Sequence, residues 1–240
     1  MSKVNYNMRN RSTILFSSVL ALFMAVAPCQ DAGAWNPFKP KKQEPKETVK
    51  SVRDENLDEM SFIEMINSVP LDEKSASLIR KFQEKEGRNR LHTRDYNSRN
   101  GSSVETFRNK EVLLVTIPAS KLFGPNETEL RQGAGALLAP LKRYLNDPDM
   151  YRVLMVMHTD NTGSEKYRDY ITEERAASVF DWFAAQGVDT KYLFPYAMGD
   201  EMPLVRNNSM ENREKNRRLE VYLMPGKKML EQAKRGRIVF

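Results

Sequence analysis

The stretch Tyr151–Gln186, YRVLMVMHTDNTGSEKYRDYITEERAASVFDWFAAQ, decides the fold. Val153-Leu154-Met155-Val156-Met157 is an apolar run of the length of one buried strand. His158 to Ser164 is polar and rich in turn-forming residues. Ala176, Val179, Phe180 and Phe183 then recur at three- and four-residue spacing, the pattern of a helix with one apolar face. A strand, a loop and a helix in this order put Asp160 at the carboxyl end of the strand and Arg175 near the start of the helix. Such a crevice, between strand ends and a helix N-terminus, is where α/β sheets usually hold ligands.

Working outward, Val104–Phe107 and Val112–Ile117 read as two strands, with Arg108–Glu111 as the hairpin turn between them. Pro125-Asn126-Glu127 opens a helix, with acidic Glu127 and Glu129 in its first turn, where the helix dipole favours them. Leu130, Ala134, Leu137, Leu138, Leu141 and Leu145 form its core stripe, and Asp147-Pro148-Asp149 ends it. Downstream, Gly187 stops the helix of the opening stretch. Tyr192–Met198 is a short strand, and Gly199–Asn212 a polar loop with a helical turn near Ser209. Arg217–Met224 alternates as a strand does. The order β-β-α-β-α-β-(α)-β predicts an α+β fold: a mixed β-sheet with helices packed on one face, over residues 104–225. Residues 226–240 read as a basic tail, a frayed helix.

Residues 1–34 read as a secretory signal peptide. Lys3, Arg9 and Arg11 precede an apolar run, Ile14–Ala27, shorter than the ~20 residues of a spanning helix. Ala32-Gly33-Ala34 supplies a small-x-small cleavage pattern. An uncleaved anchor is one alternative. Lipidation of Cys29 is another, although Pro28 stands where a lipobox has a small residue. Residues 35–56 form a Pro- and Lys-rich linker. Residues 57–103 hold two short helical patterns parted by Pro70, then a polar loop. Their apolar face (Phe62, Ile63, Met65, Ile66, Leu78, Ile79, Phe82) packs on the main domain or meets another protein.

Composition narrows the chemistry. The 240-residue chain is 40% hydrophobic and 29% charged, enough for a packed core, and its net charge of +6 is spread along it. That excess suits a polyanionic neighbour, but a solvated basic surface explains it equally, and no nucleic-acid site is expected. With one cysteine and two histidines there is no internal disulfide and no zinc ligand set. No cofactor is expected.

Several motifs occur in a family-like order: His158-Thr159-Asp160-Asn161-Thr162-Gly163, Arg175-Ala176-Ala177-Ser178-Val179, Gly187-Val188, then Gly199, Pro203, Asn207 and Asn216-Arg217-Arg218-Leu219-Glu220. Over Val112–Met224, about half the chain, the sequence resembles the C-terminal domain of the OmpA family, which includes peptidoglycan-associated lipoprotein and the wall-binding part of flagellar stators. The resemblance implies non-covalent binding of peptidoglycan through the diaminopimelate of its stem peptides, held by one Asp and one Arg. Those roles fall on Asp160 and Arg175. The chemistry agrees: the free end of diaminopimelate is a zwitterion. A carboxylate can take its ammonium, and a guanidinium can take its carboxylate through two parallel hydrogen bonds. The backbone N–H groups of Thr162 and Gly163 are candidates for the remaining carboxylate oxygen. Thr172 is the expected N-cap of the helix bearing Arg175. The sequence departs from the family at Arg168, where an Asn is usual, and at Ile171-Thr172 in place of Leu-Ser. Arg168 adds a second cation, serving the stem carboxylate or pointing to solvent.

His158 lacks a nucleophile or second acid–base partner in the sequence pattern, so it reads as structural and the chain as a non-enzyme. Alternation puts Arg217 and Arg218 on opposite faces of a strand, with an ion pair expected for at least one. The expected function is anchoring of an envelope protein or complex to peptidoglycan, in the periplasm of a Gram-negative-type cell and associated with the outer membrane. The alternative is a scaffold subunit of an envelope secretion or motility machine that uses the fold for protein contacts.

Overall fold

A computed structural model describes residues 60–68, 72–87, 90–91, 95–96, 101–147 and 149–240. The expected signal peptide, the linker, Cys29 and Pro70 lie outside the described residues. The described residues contain five strands: β1 (Ser103–Phe107), β2 (Val112–Pro118), β3 (Tyr151–His158), β4 (Leu193–Ala197) and β5 (Arg218–Pro225). They form one mixed sheet in the order β1-β2-β5-β3-β4. β1 and β2 make the expected hairpin. Its turn, Arg108 to Lys110, holds three consecutive residues at positive φ (49°, 52° and 68°). β5 enters between β2 and β3, antiparallel to both, and all eight of its residues are buried. β3 and β4 run parallel, so they need a crossover, and the 21-residue helix Glu165–Ala185 supplies it.

Period-two alternation sends the strand side chains to two cores. Val153, Met155 and Met157 of β3 join Leu219, Val221 and Leu223 of β5 in the larger core, which the crossover helix covers with Ala176, Val179 and Phe183. Leu154, Val156, Tyr222 and Met224 face the other way. That second face is covered in part by α1 (Phe62–Asn67), which seats Phe62, Met65 and Ile66 there. A reciprocal capping box between Ser61 and Glu64 starts this short helix. α2 (Glu73–Glu86) packs on the larger core through Ile79. Its buried Gln83 donates to the carbonyls of Glu111 and Leu223 and accepts from the Tyr151 hydroxyl. The two upstream helices therefore place their main apolar residues inside this fold.

Three expectations change. The helix expected from Pro125 is absent until Ala134. A short helix α3 (Ala119–Leu122) is followed by a loop through Gly133, then α4 (Ala134–Leu138), a 3-10 turn (Ala139–Leu141) and α5 (Lys142–Leu145). Asn126 (φ 58°) and Gly133 (φ 87°) adopt conformations no helix contains, and Pro140 lacks the N–H that would continue α4. The crossover helix, α6 (Glu165–Ala185), is continuous and capped by Ser164, whose side chain accepts from the Tyr167 N–H. Thr172 is thus interior, and Arg175 lies ten residues past the first helical residue. The Thr172 hydroxyl donates back to the carbonyls of Arg168 and Asp169, as a threonine inside a helix does, instead of capping a new one. Finally, the basic tail is docked. After α7 (Met210–Asn216) and β5, helix α8 (Lys227–Lys234) buries Met229 and Ala233, and Phe240 stacks on Tyr144 with ring centroids 5.6 Å apart. Among the described residues no helix is long and apolar enough to cross a membrane.

Candidate functional site

Asp160 and Arg175 line the same cleft of about 390 Å³, beyond the carboxyl end of β3. Its walls are the loop after β3, the inner side of α6, the Phe123–Arg131 loop and the junction of α7 with β5. Asp160 is 3% exposed. One carboxylate oxygen accepts the Thr162 N–H at 2.7 Å, an Asx turn that sets the side chain's direction. The other accepts from the Arg217 guanidinium. Burial pushes the Asp160 carboxyl up, but the bonds from Thr162 and Arg217 outweigh it and hold the group below its ordinary value, ionised at neutral pH.

Arg175 is 6% exposed and is held differently. Its Nε donates to the Glu127 carbonyl at 2.8 Å and one terminal nitrogen to the Gly124 carbonyl at 3.2 Å. Its guanidinium carbon lies 4.9 Å from the centre of the Phe123 ring. Among the described residues no carboxylate forms an ion pair with it. Burial, and the nearby Arg217 charge, lower its proton affinity from a value so high that it stays charged. A buried cation held only by neutral carbonyls and a ring face is electrostatically unfinished, since burying charge is costly unless an opposite charge meets it.

The loop that replaces the expected helix makes this arrangement. Tyr167 donates its hydroxyl to Asn126 Oδ1 at 2.9 Å, and Ser178 donates to the Thr128 carbonyl at 2.6 Å. With the two Arg175 bonds, these fix the loop along α6. Leucine periodicity concealed it; the signal against a helix was Asn126 and Gly133, residue types that accept positive φ.

The other sequence candidates separate. Thr162 lines the cleft, but its N–H is already engaged by Asp160. Gly163 and Arg168 do not line it. Gly163 sits at φ 84°, and a Cβ there would come within 2.9 Å of the Tyr167 ring. Arg168 donates to the Gly163 carbonyl at 2.6 Å and pairs with Asp200 at 2.7 Å, so its charge is neutralised outside the cleft. His158 is buried with Nε2 3.1 Å from Glu220, and the carboxylate acceptor assigns the proton to Nε2. Glu220 also accepts from Arg218 (2.7 Å) and Tyr222 (2.7 Å). Arg218 thus belongs to a buried network, while Arg217, one residue earlier, reaches the cleft. Arg217 bridges Asp160 and Glu214. Glu214 was the residue sequence reading missed; its spacing of three from Arg217 along a helical turn was the available signal.

Comparison with known proteins completes the assignment. Residues 122–217 match the model of the OmpA family. Over those residues the chain is similar to the OmpA family. Outer membrane protein A of Bordetella avium is 27% identical over 114 residues, 48% of this chain and 59% of that protein. The peptidoglycan-binding protein ArfA of Mycobacterium tuberculosis is 37% identical over 70 residues, 29% of this chain and 22% of ArfA. The chain therefore spans less than two thirds of the length of either relative. Among solved structures, a MotB-like protein from Desulfovibrio vulgaris matches with a TM-score of 0.53 and 25% identity, over 62% of this chain and 95% of that one. The match to the OmpA family runs from Leu122 to Arg217, so it takes in Asp160, Arg175, Glu214 and the carbonyls that hold Arg175.

Proposed function

We propose that the cleft binds the diaminopimelate end of peptidoglycan stem peptides and so tethers an envelope protein or complex to the cell wall, on the periplasmic side and in association with the outer membrane. The observation that carries this is Arg175: a buried guanidinium, without a carboxylate ion-pair partner among the described residues, facing the same cleft as an ionised Asp160. A ligand carboxylate on Arg175 supplies the missing anion, and its guanidinium geometry favours a forked contact. An ammonium in the same ligand is drawn to the acidic side. The likeness to the peptidoglycan-binding ArfA supports the same ligand. The physical job is anchoring rather than turnover: modest affinity per site becomes firm attachment when many copies meet a repeating polymer.

Co-sedimentation with purified peptidoglycan tests this reading. The unmodified protein pellets with the wall, and Asp160→Ala and Arg175→Ala each reduce the pelleted fraction at least about tenfold, the loss expected for one charged hydrogen-bonded contact, with unchanged circular dichroism. Undiminished pelleting of both variants sinks the site assignment. Release of soluble muropeptides during the assay would instead reveal an enzyme.

A further inference from the structure

The acidic side of the cleft is not a lone aspartate. Arg217 spans two carboxylates, one terminal nitrogen on Asp160 and the other on Glu214. Asp160 is almost wholly buried, with 4% of its side chain exposed, whereas Arg217 and Glu214 are 34% and 41% exposed and stand toward the opening. Had Arg217 met Asp160 alone, the pair would be neutral. A ligand ammonium would then find no net attraction and would compete with a guanidinium already in place. Glu214 changes that balance. Two carboxylates against one guanidinium leave a single net negative charge. It is shared between a buried anchor and an outer carboxylate.

The supports of Glu214 suit this task. It sits in the last turn of α7, three residues before Arg217. Burial pushes its carboxyl up, but hydrogen bonds from Ser120 and Arg217 overcome that and leave it below its ordinary value, so it is charged at neutral pH. Ser120 belongs to α3, which follows β2, so the outer carboxylate is fixed from two separate elements. Arg175 lines the same cleft as Asp160, Glu214 and Arg217, so one small ligand can meet the anionic array and the Arg175 guanidinium together.

We propose that the ammonium of the ligand is recognised by the three-residue array Asp160–Arg217–Glu214, with Glu214 supplying the uncompensated negative charge. Arg217 acts as the internal brace that holds both carboxylates in place. The array is thus matched to a ligand carrying a free α-amino group beside a carboxylate, and it discriminates against the same group when the amine is acylated. This rests on the cleft being the wall-peptide site.

The test is calorimetric titration of the full chain with two synthetic stem tripeptides ending in diaminopimelate, one with its terminal amine free and one with it acetylated. The unmodified protein prefers the free amine. Glu214→Gln, at a half-exposed position, keeps the fold and lowers that preference about tenfold, the size of one charge-assisted contact. A Glu214→Gln preference equal to the parent's overturns the proposal. Equal affinity of the unmodified protein for both peptides overturns it while leaving wall binding intact. Failure to bind either peptide removes the functional reading and this inference together.

Discussion

Two adjacent arginines have opposite fates: Arg217 ends α7 in an extended conformation and Arg218 opens β5, so their side chains leave on opposite sides. Arg217 reaches the cleft, and Arg218 is 3% exposed in the network with Glu220, His158 and Tyr222. Such a network is sensitive to loss of one member, since the partners are left buried and charged. Glu220→Ala should therefore cost about 3–5 kcal/mol, the usual penalty for stranding a buried charge, seen as a lower urea midpoint with an unchanged m-value. The alternation that separates the two arginines was legible in the sequence. Which of them would meet the ligand side was not, because that depends on which face of the sheet α6 covers.

At the scale of elements, the strands were read nearly to their ends, and the helices were not. Strands announce themselves through short apolar runs bounded by turn residues. The leucine stripe after Asn126 mimicked a helix start that backbone conformation forbids, and the resulting loop supplies both carbonyls to Arg175. The basic tail failed in the opposite sense. Its charge masked the anchoring positions Met229 and Ala233 and the terminal Phe240, whose ring lies 4.2 Å beneath the Arg143 guanidinium. The entry to α8 gives this a test. Gly226 follows β5 where the chain crosses the Asp149–Met150 backbone, and a Cβ there would stand 2.3 Å from the Asp149 carbonyl oxygen. Backbone cannot yield as a side-chain tip can. Gly226→Ala should destabilise by about 1–3 kcal/mol, the range for forcing atoms into filled space, read as a lower thermal midpoint. A neutral substitution would mean that the tail is not docked at this crossing.

At the scale of the whole molecule, the buried Glu220 network and the carboxylates of the cleft act in one direction in acid. Glu220 is pushed up by burial but pulled down by His158, Arg218 and Tyr222 to about 2, against an ordinary 4.5. Its stabilising contribution is complete above 4.5 and is lost as pH falls toward 2. His158 is held below its ordinary 6.5, chiefly by burial, so the unfolded chain binds more protons than the folded one as pH drops below 6.5. Asp160 and Glu214 are also depressed and add to the loss in acid. The thermal midpoint should be highest near neutrality, begin to fall below about pH 6.5, the unperturbed His value, and fall more steeply below 4.5. Glu220→Gln should flatten the steep part. A midpoint that rises on acidification would contradict the assignment of these charges. By itself the sequence determined the strands and the mixed sheet, because periodicity is a local property of the chain, and its motif order singled out Asp160 and Arg175. Only the tertiary structure decided that Arg175 is held by a loop rather than by a helix terminus, that Arg168 is neutralised by Asp200, and that Asp160 shares Arg217 with Glu214. Those outcomes depend on which distant groups burial forces together, and spacing along the chain encodes only the Glu214–Arg217 contact among them.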